Sequence, residues 1–212
     1  MSTANLLVEL FVEELPPKAL KKLGESFATV LADSLKAQGL APADAVVTPF
    51  ASPRRLAVHV SSVAAKAADQ AVQQKLMPVS VALDASGQPA PALLKKLASM
   101  GLGADVVPQL KRAPDGKAEA LFLDSVKPGA VLAEGLQKAL EDSLAKLPIP
   151  KVMTYQLEQG EGADFQPGWS SVNFVRPAHG LVALHGEQEV PVSVLGLKSG
   201  RATQGHRFEA RV

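Results

Sequence analysis

Asn5-Leu6-Leu7-Val8-Glu9-Leu10-Phe11-Val12-Glu13 separates into two alternating sets. Leu6, Val8, Leu10 and Val12 fall on one side, and Leu7, Glu9, Phe11 and Glu13 on the other. Side chains alternate across the faces of a strand, so this stretch reads as a β-strand with one well-buried face. Pro16-Pro17 ends it and opens a helix, because a first helical turn leaves unused the donor that proline lacks. Leu20, Leu23, Phe27, Val30, Leu31 and Leu35 then recur at helical steps, and Gly39 is placed to close the helix. A strand and a helix that each carry one apolar face have to pack on one another.

The same strand signal returns at Leu56, Val58 and Val60 against Ala57, His59 and Ser61, with a short partner expected over 45–50. His59 falls on the more polar face and reads as a half-exposed strand residue. From 65 to 127 alanine, glutamine and lysine rise and proline punctuates. There Asp84–Pro89 reads as a turn, Leu93, Leu94, Leu97 and Met100 as a short helix ended by Gly101, and Asp115-Gly116 as a hairpin between Gln109–Arg112 and Ala120–Val126. Leu132, Leu136, Leu140, Leu144 and Leu147 give another amphipathic helix, stopped by Pro148-Ile149-Pro150. A loop rich in glycine and glutamate follows over 156–170 and holds the single tryptophan, Trp169. Leu181–Leu184 and Val190–Leu195 flank Gly186 as a hairpin. Strands and helices interleave without a strict βαβα beat. The expectation is an α+β fold: a largely antiparallel or mixed sheet packed by two long amphipathic helices. Residues 1–64 and 128–212 would form its core, and 65–127 a small inserted lobe of a short helix plus a hairpin.

The chain has 212 residues, enough for a real core, with 47% apolar and 20% charged residues. A net charge of +1 makes no demand for nucleic acid over the whole chain, so any basic face is local. With no cysteine there are no disulfides and no thiol catalysis. No two of the four histidines, His59, His179, His185 and His206, pair at helical spacing, so no metal site is expected. The N-terminus lacks a basic segment ahead of an apolar one, and no apolar run approaches the ~20 residues that span a bilayer. A cytoplasmic location without membrane contact is the expectation.

The densest polar cluster is Gly196-Leu197-Lys198-Ser199-Gly200-Arg201-Ala202-Thr203-Gln204-Gly205-His206-Arg207-Phe208. Neither a P-loop nor a dinucleotide fingerprint fits its glycine spacing. A loop presenting Lys198, Arg201, His206 and Arg207 to an anion is one reading; cations paired with nearby carboxylates is the other. Ser52-Pro53-Arg54-Arg55 places two cations at the start of a strand, where adjacent side chains face opposite ways, so only one serves a given surface. Lys151 follows the stiff Pro148-Ile149-Pro150, and Arg176-Pro177 lies ahead of His179. Glu13 and Glu14, adjacent at a strand end, are candidate general acids or simply solvated charges at a helix start. With such a cluster so close to position 212, the expectation is a piece of a longer polypeptide.

These motifs together resemble the opening of the β subunit of the bacterial two-subunit glycyl-tRNA synthetase. The resemblance rests on Leu7–Leu10 through Glu13-Glu14-Leu15-Pro16-Pro17-Lys18-Ala19-Leu20, on Ser52-Pro53-Arg54-Arg55-Leu56-Ala57, and on Leu147-Pro148-Ile149-Pro150-Lys151-Val152-Met153. Phe174-Val175-Arg176-Pro177 and Gly205-His206-Arg207-Phe208 complete it. The five motifs stand in the family's order over residues 7–208. Tyr155–Ser171 is longer and richer in glycine than the family pattern, and within 65–127 only the Asp84–Pro89 turn is familiar.

The resemblance implies an α+β region of a ligase that charges glycine onto its tRNA. The α subunit would carry the catalytic core and use ATP and magnesium; the β subunit would supply tRNA recognition in an α2β2 heterotetramer. This stretch would have no catalytic residue, cofactor or metal of its own. Its partners would be tRNA(Gly) and the α subunit, and the candidate tRNA contacts are Arg54, Arg55, Lys151, Arg176, Lys198, Arg201, His206 and Arg207. An alternative makes the region a purely structural assembly module, consistent with near-neutral charge and 4% aromatics, since single-stranded RNA readers stack bases on aromatic rings. An editing-type hydrolase would be a third reading, but no nucleophile or metal set stands out for it.

Overall fold

A computed structural model of the chain describes residues 2–84, 86–115, 118–149, 151–157 and 171–205. Trp169, His206 and Arg207 lie outside these described residues. The chain divides into two compact units, Met1–Ala68 with Gly129–Val212, and Asp69–Pro128.

The larger unit opens with β1 (Thr3–Val12), α1 (Leu20–Ala37), β2 (Val47–Ser52) and β3 (Arg55–Ala64). The smaller unit supplies β4 (Gln70–Pro78), α2 (Val79–Ala82), α3 (Pro91–Ser99), a 3-10 turn (Ala104–Gln109), β5 (Lys111–Asp115) and β6 (Ala118–Lys127). The larger unit resumes with α4 (Leu132–Ala145), β7 (Met153–Gln156), β8 (Ser171–Phe174) and β9 (Ala178–His185). It continues with β10 (Gln188–Glu189), β11 (Ser193–Val194) and β12 (Leu197–Lys198). The fold is α+β, and every named strand pair is antiparallel. No helix among the described residues is long and apolar enough to cross a membrane.

The main sheet has five strands in the order β10-β9-β1-β3-β2, so β1 lies at its centre. Its inward set, Leu6, Val8, Leu10 and Val12, joins one core with Leu23, Phe27, Leu31 and Leu35 of α1 and Leu132, Leu136 and Leu140 of α4. Burying each side chain of that size contributes about 1.5–3 kcal/mol, which is why the alternation in β1 fixes its register. α1 ends as its sequence requires. Gly39 takes a φ of 72°, its N–H donates to Lys36 O at 3.0 Å, and the Leu40 N–H donates to Leu35 O at 3.0 Å. That doubled closure is the Schellman motif, with Leu40 buried after it. Where α1 crosses β2, Gly24 leaves no room: a Cβ there would lie 2.7 Å from the Ala51 Cβ. Ser143 of α4, fully buried, donates from Oγ to Phe27 O of α1 at 2.8 Å and links the two helices.

Two local expectations need correction. The second arm of the hairpin after Gly186 is β10, only Gln188–Glu189, rather than a strand over Val190–Leu195. Pro191 has no N–H to continue the ladder. The chain instead folds β11 onto β12 through Leu195 (φ 53°) and Gly196 (φ 78°), consecutive left-handed residues suited to a tight hairpin turn. Arg54 sits in the turn between β2 and β3 rather than on a strand.

The smaller unit pairs its strands in the order β4-β6-β5 around Leu76, Ala82, Leu93, Leu97, Leu121 and Leu123. β4 went unread in the sequence. Gln70 to Lys75 are exposed throughout, so no apolar alternation announces a strand.

Candidate functional site

The end of β1 gathers three motifs that the sequence holds far apart. The Val12 N–H donates to Arg54 O at 3.0 Å, the Glu13 N–H to Pro177 O at 2.9 Å, and the Leu15 N–H to Pro53 O at 2.6 Å. Glu13-Glu14-Leu15 is therefore held between the β2–β3 turn and the Val175-Arg176-Pro177 segment. The side chains repeat the pattern. Arg54 Nη2 lies 2.8 Å from Glu13 Oε2, and Arg54 Nε lies 3.9 Å from Glu14 Oε1. His179 Nε2 is 4.0 Å from Glu13 Oε1. Arg176 Nε donates to Glu14 O at 3.0 Å, and its Nη1 reaches Val175 O at 3.1 Å and Met153 Sδ at 3.2 Å.

One pleat further along, on the face of β1 turned away from the helices, lies a second cluster. Glu9 stands opposite Ala57 of β3 and Val182 of β9, and is only 8% exposed. Arg55 Nη1 donates to Glu9 Oε1 at 3.3 Å, while the Arg55 Cζ sits 4.7 Å from the centre of the Phe11 ring. Gly180 opposite Phe11 provides the space for that ring; a Cβ at 180 would lie 2.9 Å from Phe11 Cδ2. Thr203 Oγ1 donates to Glu9 Oε2 at 2.7 Å, and Arg55 Nη2 donates to Gln204 O.

The candidate cations thus separate. Arg54, Arg55 and Arg176 come together and are engaged by carboxylates or carbonyls of their own unit. Lys151, Lys198 and Arg201 are exposed, with no ion pair among the described residues. Arg54 and Arg55 serve different surfaces, Arg54 at the strand end and Arg55 over the outward face. Glu9 was missed as the partner of Arg55. Its signal was present: a lone carboxylate at the middle of an apolar strand, which burial disfavours unless a cation faces it. Glu13 and Glu14 both face the Arg54 guanidinium. No group of three or more His, Asp or Glu side chains among the described residues comes together to hold a metal ion.

An α+β unit with three of its sequence motifs gathered at one end of a five-stranded sheet is the class that the geometry defines. The family model "Glycyl-tRNA synthetase beta subunit" matches residues 6–212, and the chain belongs to that family. It is 75% identical over 212 residues to a Glycine--tRNA ligase beta subunit from Leptothrix cholodnii, covering 100% of this chain and 29% of the relative. A protein of the same name from Paracidovorax citrulli is 70% identical over 213 residues, with 100% and 30% covered. One from Dechloromonas aromatica is 68% identical over 216 residues, with 100% and 29% covered. The chain spans about 29% of the length of such relatives.

Proposed function

We propose that this chain is a non-catalytic part of a cytoplasmic glycine–tRNA ligase, and that its first task is to hold the assembled enzyme together. The observation that carries this reading is the braced end of β1. Arg54 and Arg176, two of the residues on which the family resemblance rests, are tied to Glu13, Glu14 and the backbone around them. Cations satisfied in this way shape a surface; they are poorly placed to bind phosphate, which would have to displace the carboxylates from Arg54 or the carbonyls from Arg176. Val152 and Met153 lie exposed beside Arg176 and give that surface apolar area for a protein partner, here the α subunit. ATP and magnesium would be used by the α subunit of an α2β2 enzyme.

A specific observation supports a second role. Lys151, Lys198 and Arg201 are exposed and have no ion pair among the described residues. Such cations suit the tRNA backbone, where phosphate contacts position the nucleic acid without reading its sequence.

The deciding experiment is co-purification of the full-length β subunit with its α subunit. Val152→Asp and Met153→Asp should abolish or sharply weaken recovery of the α subunit while the β subunit stays folded. Full recovery with both variants would remove the assembly role from this surface.

A further inference from the structure

Glu9 is the one buried carboxylate among the described residues, and its two oxygens have different partners. Oε1 accepts from Arg55 Nη1 at 3.3 Å, within the same sheet. Oε2 accepts from Thr203 Oγ1 at 2.7 Å, far along the chain. Arg55 also reaches that distant segment, donating to Gln204 O while resting on Phe11. The path of the segment follows from these contacts. The Gly200 N–H donates to Leu181 O at 3.0 Å and Gly200 bridges to Val182, alongside β9. Thr203 then lies at β1 and Gln204 at β3. Residues 200–204 form a strap that crosses the outward face of three strands.

What holds the strap differs from what holds the sheet. Arg201, Ala202, Thr203, Gln204 and Gly205 are all exposed, so no apolar side chain between 201 and 205 is anchored in a core. Among the described residues its attachments are polar: the ladder at Gly200, the Thr203 hydroxyl and the Gln204 carbonyl. Segments with few buried apolar contacts open at a small fraction of the free energy of global unfolding. A buried ion pair contributes little net stability, and its best-attested use is to specify one arrangement over others.

We propose that Glu9 and Arg55 form a latch for the strap, which docks on and leaves the sheet as a unit while β1, β3 and β9 stay folded. Glu9 and Thr203 are positioning residues in this device. With the latch made, Gln204 is held beside Arg55; with it broken, no hydrogen bond among the described residues past Gly200 holds it there. The charge on Arg55 is held by Glu9 in both states, so opening strands no buried cation. The inference stands apart from the assembly and tRNA readings above.

Arg201 supplies the readout, because trypsin needs an extended, undocked segment to cut after it. When reclosing is fast, the cleavage rate follows the open population. In the full-length chain, Thr203→Val should accelerate cleavage after Arg201 by about tenfold, the scale of one lost hydrogen bond to a charged group. Thr203→Ser, which keeps the hydroxyl, should cleave at the wild-type rate. Glu9→Gln should accelerate cleavage by about tenfold or more. Cleavage after Lys36 and Lys138, in the two core helices, should stay unchanged in Thr203→Val, which leaves the Glu9–Arg55 pair of the sheet intact. Unchanged cleavage after Arg201 in both Thr203→Val and Glu9→Gln would overturn the latch. Equal acceleration at Lys36 and Lys138 in Thr203→Val would also overturn it, since the hydroxyl would then support the whole unit rather than the strap.

Discussion

Arg54 Nη2 and Glu13 Oε2 lie 2.8 Å apart, joining the β2–β3 turn to the residue that follows β1. The side chains are 38% and 46% exposed, so water screens much of their attraction. Exposed pairs of this kind contribute about 0.2–1 kcal/mol. A double-mutant cycle with Arg54→Ala and Glu13→Ala, read by urea denaturation, should therefore give a coupling no larger than about 1 kcal/mol. The backbone bonds from Glu13 to Pro177 and from Leu15 to Pro53 would hold the strand end in place. A coupling well above that range would mean the ion pair, not the backbone, is the brace.

Gly24 makes the converse case, where a single carbon decides. A Cβ at 24 would stand 2.7 Å from the Ala51 Cβ, closer than two carbons can pack. Gly24→Ala gains up to about 1 kcal/mol of helix propensity, but overpacking the contact with Ala51 costs about 1–3 kcal/mol. The expected result is a net loss of stability. Gly24→Ala combined with Ala51→Gly should recover most of it, because only one of the two positions then carries a Cβ. Thermal melts of both variants check this, and a stabilised single variant would contradict the close approach of α1 to β2.

Asp124 in the smaller unit has a carboxyl held below its ordinary value, chiefly by the hydrogen bond from Lys111 and next by that from Gln73. Lys111 Nζ lies 2.5 Å from Asp124 Oδ2. A carboxylate lowered on folding contributes stability above its unfolded pKa. That contribution fades as the pH falls through the lowered value. Lys111→Met should therefore move the Asp124 titration upward, seen by carboxyl-carbon NMR. It should also reduce the acid-side dependence of stability that Asp124 supplies, leaving the part due to Gln73. An unmoved titration would assign the shift to Gln73 alone.

How legible the fold was depends on which face each element buries. β1 and α1 were plain because Leu6, Val8, Leu10, Leu23, Phe27 and Leu31 all enter one core, and one-sided burial writes a period into the sequence. β4 was hidden because neither face of Gln70–Lys75 is buried. β10 was overextended because Val190, Val192 and Val194 are buried, which imitates a strand, although Pro191 breaks the ladder. At the candidate site, residue type showed that Arg54, Arg55 and Arg176 were charged but not what they faced. Their partners lie 41, 46 and 162 residues away, a distance no local pattern spans. The pairing of Glu9 with Thr203 across 194 residues was out of reach for the same reason.

The exposed cations carry the reading of a tRNA contact, and salt dependence is the quantity that separates contact from general attraction. Each phosphate neutralised by a lysine or arginine releases condensed counterions, so affinity falls with salt on a logarithmic slope set by the number of contacts. Lys151→Glu, Lys198→Glu and Arg201→Glu, each made in the full-length subunit, should weaken binding of glycine-accepting tRNA. Each should also lower the slope by about 1 if that residue touches a phosphate. Arg54→Ala should leave the slope unchanged, because Arg54 is engaged by Glu13 and Glu14. Removing a cation that acts only through the long-range field would weaken binding at low salt and leave little effect near physiological salt, where the screening length is about 8 Å. The contrast between the three exposed residues and Arg54 is decisive. A lowered slope for the first set alone locates tRNA on the surface bearing them. A lowered slope for Arg54 would mean that RNA displaces Glu13, and the braced strand end would then be part of the nucleic-acid interface. Unchanged slopes throughout would leave this region with assembly as its task.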